Sequence, residues 1–187
     1  KPGIQSYIDG VIKEGDKIVS KIRKRKSHSF VKQFSQLLLR QMGFVNLVMT
    51  DTGNTGRTMD YRLRNCDVAA AATNTLYGLI VGSSDTAESI NDYALGTKIA
   101  HGINAGQLQY SAVAVGAPSW DAASNYFIIT RVFTNGSGGN VTIKEIGLYS
   151  LDSSGAYYFC FARDVITPIT LTNAQNLTLN FTIKATI

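Results

Sequence analysis

The sequence predicts a mainly β protein: an antiparallel, jelly-roll-like β-sandwich over 44–187, preceded by a basic amphipathic helical arm over 1–43. Three observations carry this. The apolar period changes from 3.6 to 2 near Phe44. Turn-rich stretches such as "DTGNTG", "GSSDTAESIND", "HGINAG" and "GAPSWDAASN" then separate short β-branched and aromatic runs. Cations gather at the front: residues 1–42 carry ten Lys/Arg against three Asp/Glu, and residues 43–187 carry eight against ten. A chain of 187 residues, 44% hydrophobic and 17% charged, is long enough and apolar enough for one packed core with an appendage.

In the arm, Ile4, Tyr7, Ile8, Val11 and Ile12, then Ile18, Val19 and Ile22, fall at helical spacing. Gly10 and Gly15 each cost a helix about 1 kcal/mol, so this helix is expected to be broken or to form on contact. The run Arg23, Lys24, Arg25 and Lys26 follows. It reads either as a binder of phosphate backbone or of an acidic protein surface, or as a solvated linker between helices. No aromatic interleaving supports base stacking. Ser29 is a good N-cap for a second helix over 30–42, with Phe30, Phe34, Leu37 and Leu38 as its apolar stripe and Gly43 as its stop. Such stripes need a burial surface, on the chain's own body or on a neighbour. The partner-binding candidates are therefore Ile8, Val11, Ile12, the four consecutive cations, Phe30, Phe34, Leu37 and Leu38.

In the body, strands are expected at 45–50, 76–82, 108–115, 126–133, 141–149, 156–163 and 177–187, with a weaker one at 59–65. The last is the clearest: Leu177, Leu179, Phe181, Ile183 and Ala185 alternate with Thr178, Asn180, Thr182 and Lys184. The runs 126–133 and 141–149 flank "TNGSGGN" and read as a hairpin with a long tip. The apolar phase switches at Lys144–Glu145, which predicts a bulge, and Gly147 allows a close backbone approach.

Chemical signals are sparse. "NGSGGN" is followed by a strand and lacks the lysine of a phosphate loop, so it is a turn. His101 stands among turn glycines without an identifiable nucleophile or orienting carboxylate. Asp85, Glu88 and Asp92 lack the spacing of a calcium loop and read as a solvated acidic loop. Glu145 in an apolar strand suggests a structural ion pair with Arg131 or Arg163. Cys66 and Cys160 with two histidines do not build a zinc cage and read as ordinary thiols, their redox state left open. Four Asn-x-Ser/Thr triplets, at Asn135, Asn140, Asn176 and Asn180, fit an Asn/Thr-rich β surface. Trp120 either anchors an interface or caps the core. No apolar run approaches the roughly 18 residues of a membrane span, so no membrane partner is expected. No catalytic residue, metal or cofactor site is assigned.

The pieces "VTIKEIGLY" at 141–149, "ARDVI" at 162–166 and the alternating strand after "LTNAQ" resemble β-domain structural proteins of tailed bacteriophages. The Ile-x-Glu-Ile-Gly-Leu element with a late Leu-Thr-Leu strand also resembles virion-attachment domains of phage tail fibres. The resemblance spans about 76–187 and leaves the N-terminal segment unmatched. It implies a non-enzymatic protein located in the virion, homo-oligomeric and in contact with other virion proteins. Three placements follow: a capsid decoration or minor capsid protein attached through the arm, a tail or baseplate fibre-anchor or adaptor, and a coat protein whose arm binds nucleic acid.

Overall fold

The computed structural model describes residues 3–27, 30–43, 46–59, 66–152 and 157–186. Thirteen strands and one helix lie among them. Their order is β1 (Gly3–Glu14), β2 (Lys17–Ser27), α1 (Lys32–Gly43), β3 (Leu47–Thr50), β4 (Gly56–Met59), β5 (Cys66–Asp67), β6 (Gly78–Gly82), β7 (Gln109–Tyr110), β8 (Ala114–Val115), β9 (Ser119–Trp120), β10 (Ser124–Thr134), β11 (Val141–Asp152), β12 (Tyr158–Leu171) and β13 (Gln175–Thr186). The first sheet runs β2-β1-β13-β10, with the short strands β7, β8 and β9 along the outer side of β10. The second runs β12-β11, with β5 and β6 on the far side of β11. All strand pairs are antiparallel, and the two sheets face each other as a sandwich.

Residues 3–27 are not helical. They form a hairpin whose first strand pairs with β13 along its whole length, from Gly3↔Thr186 to Glu14↔Gln175. The spacing that suggested a helix also fits a strand. Ile4, Ile8 and Ile12 are four apart, and four is a multiple of the strand period of two. The intervening Ser6 and Gly10 complete the inward face, so burial alternates strictly from Ser6 to Ile12. β-Branched residues at Ile4, Ile8, Val11, Ile12, Ile18, Val19 and Ile22 favour the strand. Gly15, at φ 56°, turns the chain in two residues. Gly10 is needed for packing as well: a Cβ there would lie 2.6 Å from the Thr178 carbonyl and 3.2 Å from the Ile22 side chain.

The second arm helix does form, as α1. Ser29, its expected cap, lies outside the described residues, as do 60–65 of the weaker strand. Instead of waiting for a partner, the helix packs on the chain's own β12 and β3. Phe30 and Phe34 stack with ring centroids 3.9 Å apart, and Phe34 meets Phe161 edge-on at 6.5 Å. Phe34 and Phe161 join Leu37, Met49, Met59 and Phe159 in a small core outside the sandwich, while Phe30 packs against the main core.

The expected 126–149 hairpin is a second correction. Its two strands, β10 and β11, lie in opposite sheets. The connection 135–140 crosses between layers, a step of about 10 Å. Asn135 is fully buried and holds this crossing: its Nδ2 donates to Gly139 O and Leu171 O at 2.8 Å each, and its Oδ1 accepts the Ser137 N–H at 3.0 Å. The 172–174 link crosses beside it, tied by Ala174 N to Asn135 O at 2.7 Å and Gly138 N to Asn173 Oδ1 at 3.0 Å. Two stacked crossings thus close one end of the sandwich. The predicted bulge is present, with a register shift between Ile143 and Glu145. At Gly147 a Cβ would stand 3.0 Å from the Leu95 side chain.

Ile8, Ile12, Ile129, Phe133, Leu177, Leu179 and Phe181 of the first sheet meet Val141, Ile143, Ile146 and Leu148 of the second to form the main core. On the outer face of the first sheet, Asn180 Nδ2 donates to Asp9 Oδ1 at 2.8 Å and Thr130 Oγ1 to Asn180 Oδ1 at 2.9 Å. Thr134 Oγ1 donates to Asn176 Oδ1 at 2.6 Å. Asn176 and Asn180 are therefore part of a cross-strand polar ladder.

Candidate functional site

The sandwich is closed by stacked crossings at one end and open along one side, where the edge strands β2 and β12 face each other. β2 hydrogen-bonds only β1 among the described strands. β12 pairs with β11, and its first half is covered on the outer side by a bridge from Phe30 to Ala162 and by Val31 N donating to Phe161 O at 3.0 Å. Between the two edges runs a groove of about 490 Å³. Ile8, Ile146 and Ile166 form its floor, with Ile22 and Ile169 on its flanks. A second hollow of about 350 Å³, bordered by Val19, Pro168, Thr172 and Gln175, continues it toward the β1–β2 turn. At the other end Ser27 donates its hydroxyl to the buried Asp164 carboxylate, joining β2 to β12.

Local sequence explains why the groove stays open. β2 carries Lys17, Lys21, Arg23, Lys24, Arg25 and Lys26, which repel an approaching sheet edge of like charge. It also bulges twice against β1, opposite the steps Ile8 to Gly10 and Ile12 to Lys13. On the facing strand Pro168 has no N–H to offer.

The sequence-derived candidates divide in two. Ile8 and Ile12 are buried in the chain's own core, and Val11 is half-buried on the outer face. Phe34 and Leu37 pack in the small core, Phe30 packs against the main core, and Leu38 is half-buried on α1. Their apolar stripes need no borrowed surface. Arg23, Lys24 and Lys26 are exposed on β2 and Arg25 is half-buried. Lys24 lies 5.0 Å above the Tyr7 ring on the outer face. The Arg25 Nη2 is buried at the groove and has no hydrogen-bond partner among the described residues. Trp120 is 78% exposed and does not cap the core. Sequence reasoning missed the groove itself. Its signals were present: a proline inside an apolar strand marks an edge, and cations along a β-branched run mark a protected one.

The remaining ionisable residues hold loops in place. Arg163 donates from Nε to Glu145 Oε2 at 2.9 Å and from Nη1 to Asp92 Oδ2 at 2.8 Å. Burial alone would lower its guanidinium, but Asp92 and Glu145 outweigh that and raise it. Glu145 also accepts the N–H groups of Gly96 at 2.9 Å and Thr97 at 2.8 Å. Of the acidic loop, Asp85 pairs with Lys144 at 2.9 Å, and Glu88 accepts the Val165 N–H at 2.9 Å. Asp85 and Glu88 are exposed, as expected of a solvated acidic loop, although each also meets the second sheet; Asp92 departs from that expectation, half-buried against Arg163. Arg131 does not pair with Glu145. It donates to the carbonyls of Ser111, Tyr77, Leu79, Ala71 and Asn74 while lying 4.8 Å from the Tyr110 ring. Burial lowers its guanidinium to about 10, which leaves it a cation at neutral pH. His101 accepts the Tyr110 N–H at Nδ1, 3.0 Å away. Burial raises both thiols, and neither Cys66 nor Cys160 is in a disulfide. Among the described residues no three His, Cys, Asp or Glu side chains converge as a metal site, and no helix is long and apolar enough to cross a membrane.

Against known protein families, curated proteins and solved structures, the chain finds no match.

Proposed function

We propose that this chain is a non-enzymatic structural subunit of a tailed-phage virion, seated on the capsid as a decoration or minor capsid protein. It docks through the cationic β2 edge, not through a separate helical arm. The observation that carries the reading is this edge: six cations along one strand, fixed in a sheet and beside an open groove. A strand so placed offers a rigid positive surface to an acidic neighbour. The sequence resemblance of 141–149 and 162–166 to phage β-domain proteins supports the virion setting. Arg131, Glu145, Arg163 and His101 are occupied by structural hydrogen bonds, which supports a role without catalysis.

A second reading, a tail or baseplate adaptor, is favoured by the Ile-x-Glu-Ile-Gly-Leu element at 143–148 and by the exposed Trp120, which suits an interface anchor. A coat protein with a free genome-neutralising arm fits less well, because the cations belong to a paired strand. Quantitative mass spectrometry of purified virions, with antibody labelling in electron micrographs, tests the proposal. Label over the head at high copy number supports it. A few copies at the tail favours the adaptor, and absence from virions overturns both.

A further inference from the structure

The groove between β2 and β12 has a composition that names its occupant. Its floor is apolar, with Ile8, Ile146 and Ile166 at the base. Its β2 wall is cationic, with no carboxylate among the described lining residues. Along the seven residues from Val19 to Arg25 a strand extends roughly 23 Å, which matches six or seven residues of extended chain. Arg25 sits on that wall with its Nη2 buried and without an acceptor among the described residues. A buried guanidinium N–H without an acceptor is costly, and a carboxylate is its strongest acceptor.

We infer that this groove binds an extended acidic peptide segment of a partner protein. The segment lays an apolar side chain onto the isoleucine floor and gives a carboxylate to Arg25, while Lys21 and Arg23, exposed on the same edge, attract its further acidic residues from the outer side. The β2 edge of a second copy is the wrong occupant, because two such edges bring like charges together. The bulges of β2 and Pro168 on the facing strand also interrupt regular edge pairing, so side chains set the specificity. Single-stranded nucleic acid would meet the cations but leave the isoleucine floor without a partner. Nor does the groove present the aromatic faces on which bases stack.

The inference rests on reading the β2 side as the docking face, but not on where in a virion that face is used. Fluorescence anisotropy with the purified chain tests it, using three labelled probes: a ten-residue peptide alternating Glu and Ile, a peptide of the same charge alternating Glu and Ser, and a ten-nucleotide oligo-dT. The Glu/Ile peptide binds saturably, and its affinity falls as salt rises. Arg25→Gln and Lys21→Glu each weaken it about tenfold. Ile169→Ser, a half-buried position on the flank, weakens the Glu/Ile peptide and leaves the Glu/Ser peptide unchanged. Thermal melts of each variant establish that it is folded. Failure of the Glu/Ile peptide to bind folded wild-type chain overturns the inference. So does equal binding of the Glu/Ser peptide, which reduces the groove to a charged surface, and so does preferential binding of oligo-dT. Virion labelling fails independently of these outcomes, so loss of the virion reading and loss of the groove are told apart.

Discussion

Arg163 Nε donates to Glu145 Oε2 at 2.9 Å although the two are not directly opposed across β11 and β12. Glu145 stands opposite Val165, and Arg163 stands opposite Gly147. The bond is therefore a diagonal one. It lies beside the bulge that separates Ile143 from Glu145. Glu145 is fully buried and Arg163 is 3% exposed, so the pair sits in a low dielectric where each charge depends on its partners.

Arg163→Met removes the cation and leaves a buried carboxylate with backbone N–H partners alone. Breaking a buried pair from one side costs about 3–5 kcal/mol. Urea unfolding should show a loss of that order. Hydrogen exchange should quicken at Gly96 and Thr97, whose N–H groups bind Glu145. Unchanged exchange at those amides would mean that Glu145 holds the loop without Arg163.

Gly82→Ala addresses the same cluster from a third strand. A Cβ there would run into the Glu145 carboxylate and stand 2.6 Å from the Thr97 carbonyl. The backbone of Gly82 is fixed by pairing with Glu145 on β11, so the carboxylate must yield. The variant is expected to be destabilised by about 2–3 kcal/mol. Combined with Arg163→Met its effect is less than the sum, since both changes disrupt one network. A double-mutant cycle by urea denaturation measures this coupling.

The strands of the body and the second arm helix were legible and the first arm segment was not, and the difference is one of periodicity. At 177–186 apolar and polar residues alternate one by one, which only a strand satisfies. At 4–12 the isoleucines recur every fourth residue, which helix and strand satisfy equally, and Ser6 and Gly10 hid the inward face. The link 135–140 reads as a hairpin tip because its residues suit turns in general. Whether the following strand joins the same sheet depends on the buried side chain of Asn135 and on the neighbouring 172–174 crossing, which is remote in sequence. The ion pair was half legible: a Glu in an apolar strand needs a cation, but choosing Arg163 over Arg131 requires knowing that Arg131 lies on the other sheet. Each edge of the groove carried its own mark in the sequence, but that the two edges meet was not legible, because they lie more than 140 positions apart.

Arg131→Lys tests how the first sheet holds the 70–79 segment. Arg131 donates at 2.7 Å to Asn74 O, 2.9 Å to Ser111 O and 3.0 Å to Leu79 O, with longer bonds to Tyr77 and Ala71. A lysine has three donors on one nitrogen and cannot span these carbonyls. At least two buried acceptors lose their partners, at about 1–3 kcal/mol each. The midpoint of urea unfolding should fall accordingly. Retained stability would mean that water replaces the guanidinium.

Asp51 gives the β3–β4 ribbon an acid sensitivity. Burial pushes its carboxyl up, but the hydrogen bond from Arg57 Nε at 2.7 Å and the N–H groups of Thr55 and Gly53 outweigh this and hold it below the usual carboxylate range. A depressed folded-state value means that the stabilisation is complete above the unfolded value of about 3.9 and is lost as pH falls through the lower, folded one. Asp51→Asn should therefore cost about 1 kcal/mol at pH 7, with the gap from wild type shrinking below about pH 4. Unfolding curves across pH 2–7 check it. A gap that persists undiminished at the lowest pH would assign the effect to the turn and not to the charge.

The cations of β2 carry the last prediction. β2 is an edge strand with Ile18 and Val19 exposed at 48% and 47%. An apolar, β-branched edge without charges is a template for pairing with another chain. Replacing Lys21, Arg23, Lys24 and Lys26 with threonine keeps the strand propensity and leaves the inward positions Ile22, Arg25 and Ser27 untouched. The hairpin should still pair with β13, since the β1–β13 register does not involve these side chains. The altered protein should nevertheless self-associate, because removing the charges removes the repulsion between two free edges. Light scattering coupled to size-exclusion chromatography reads this directly. Wild type should remain at one mass across concentration, and the fourfold variant should shift to larger species as concentration rises. If the variant keeps the wild-type mass, the two bulges alone protect the edge, and its cations are left for docking.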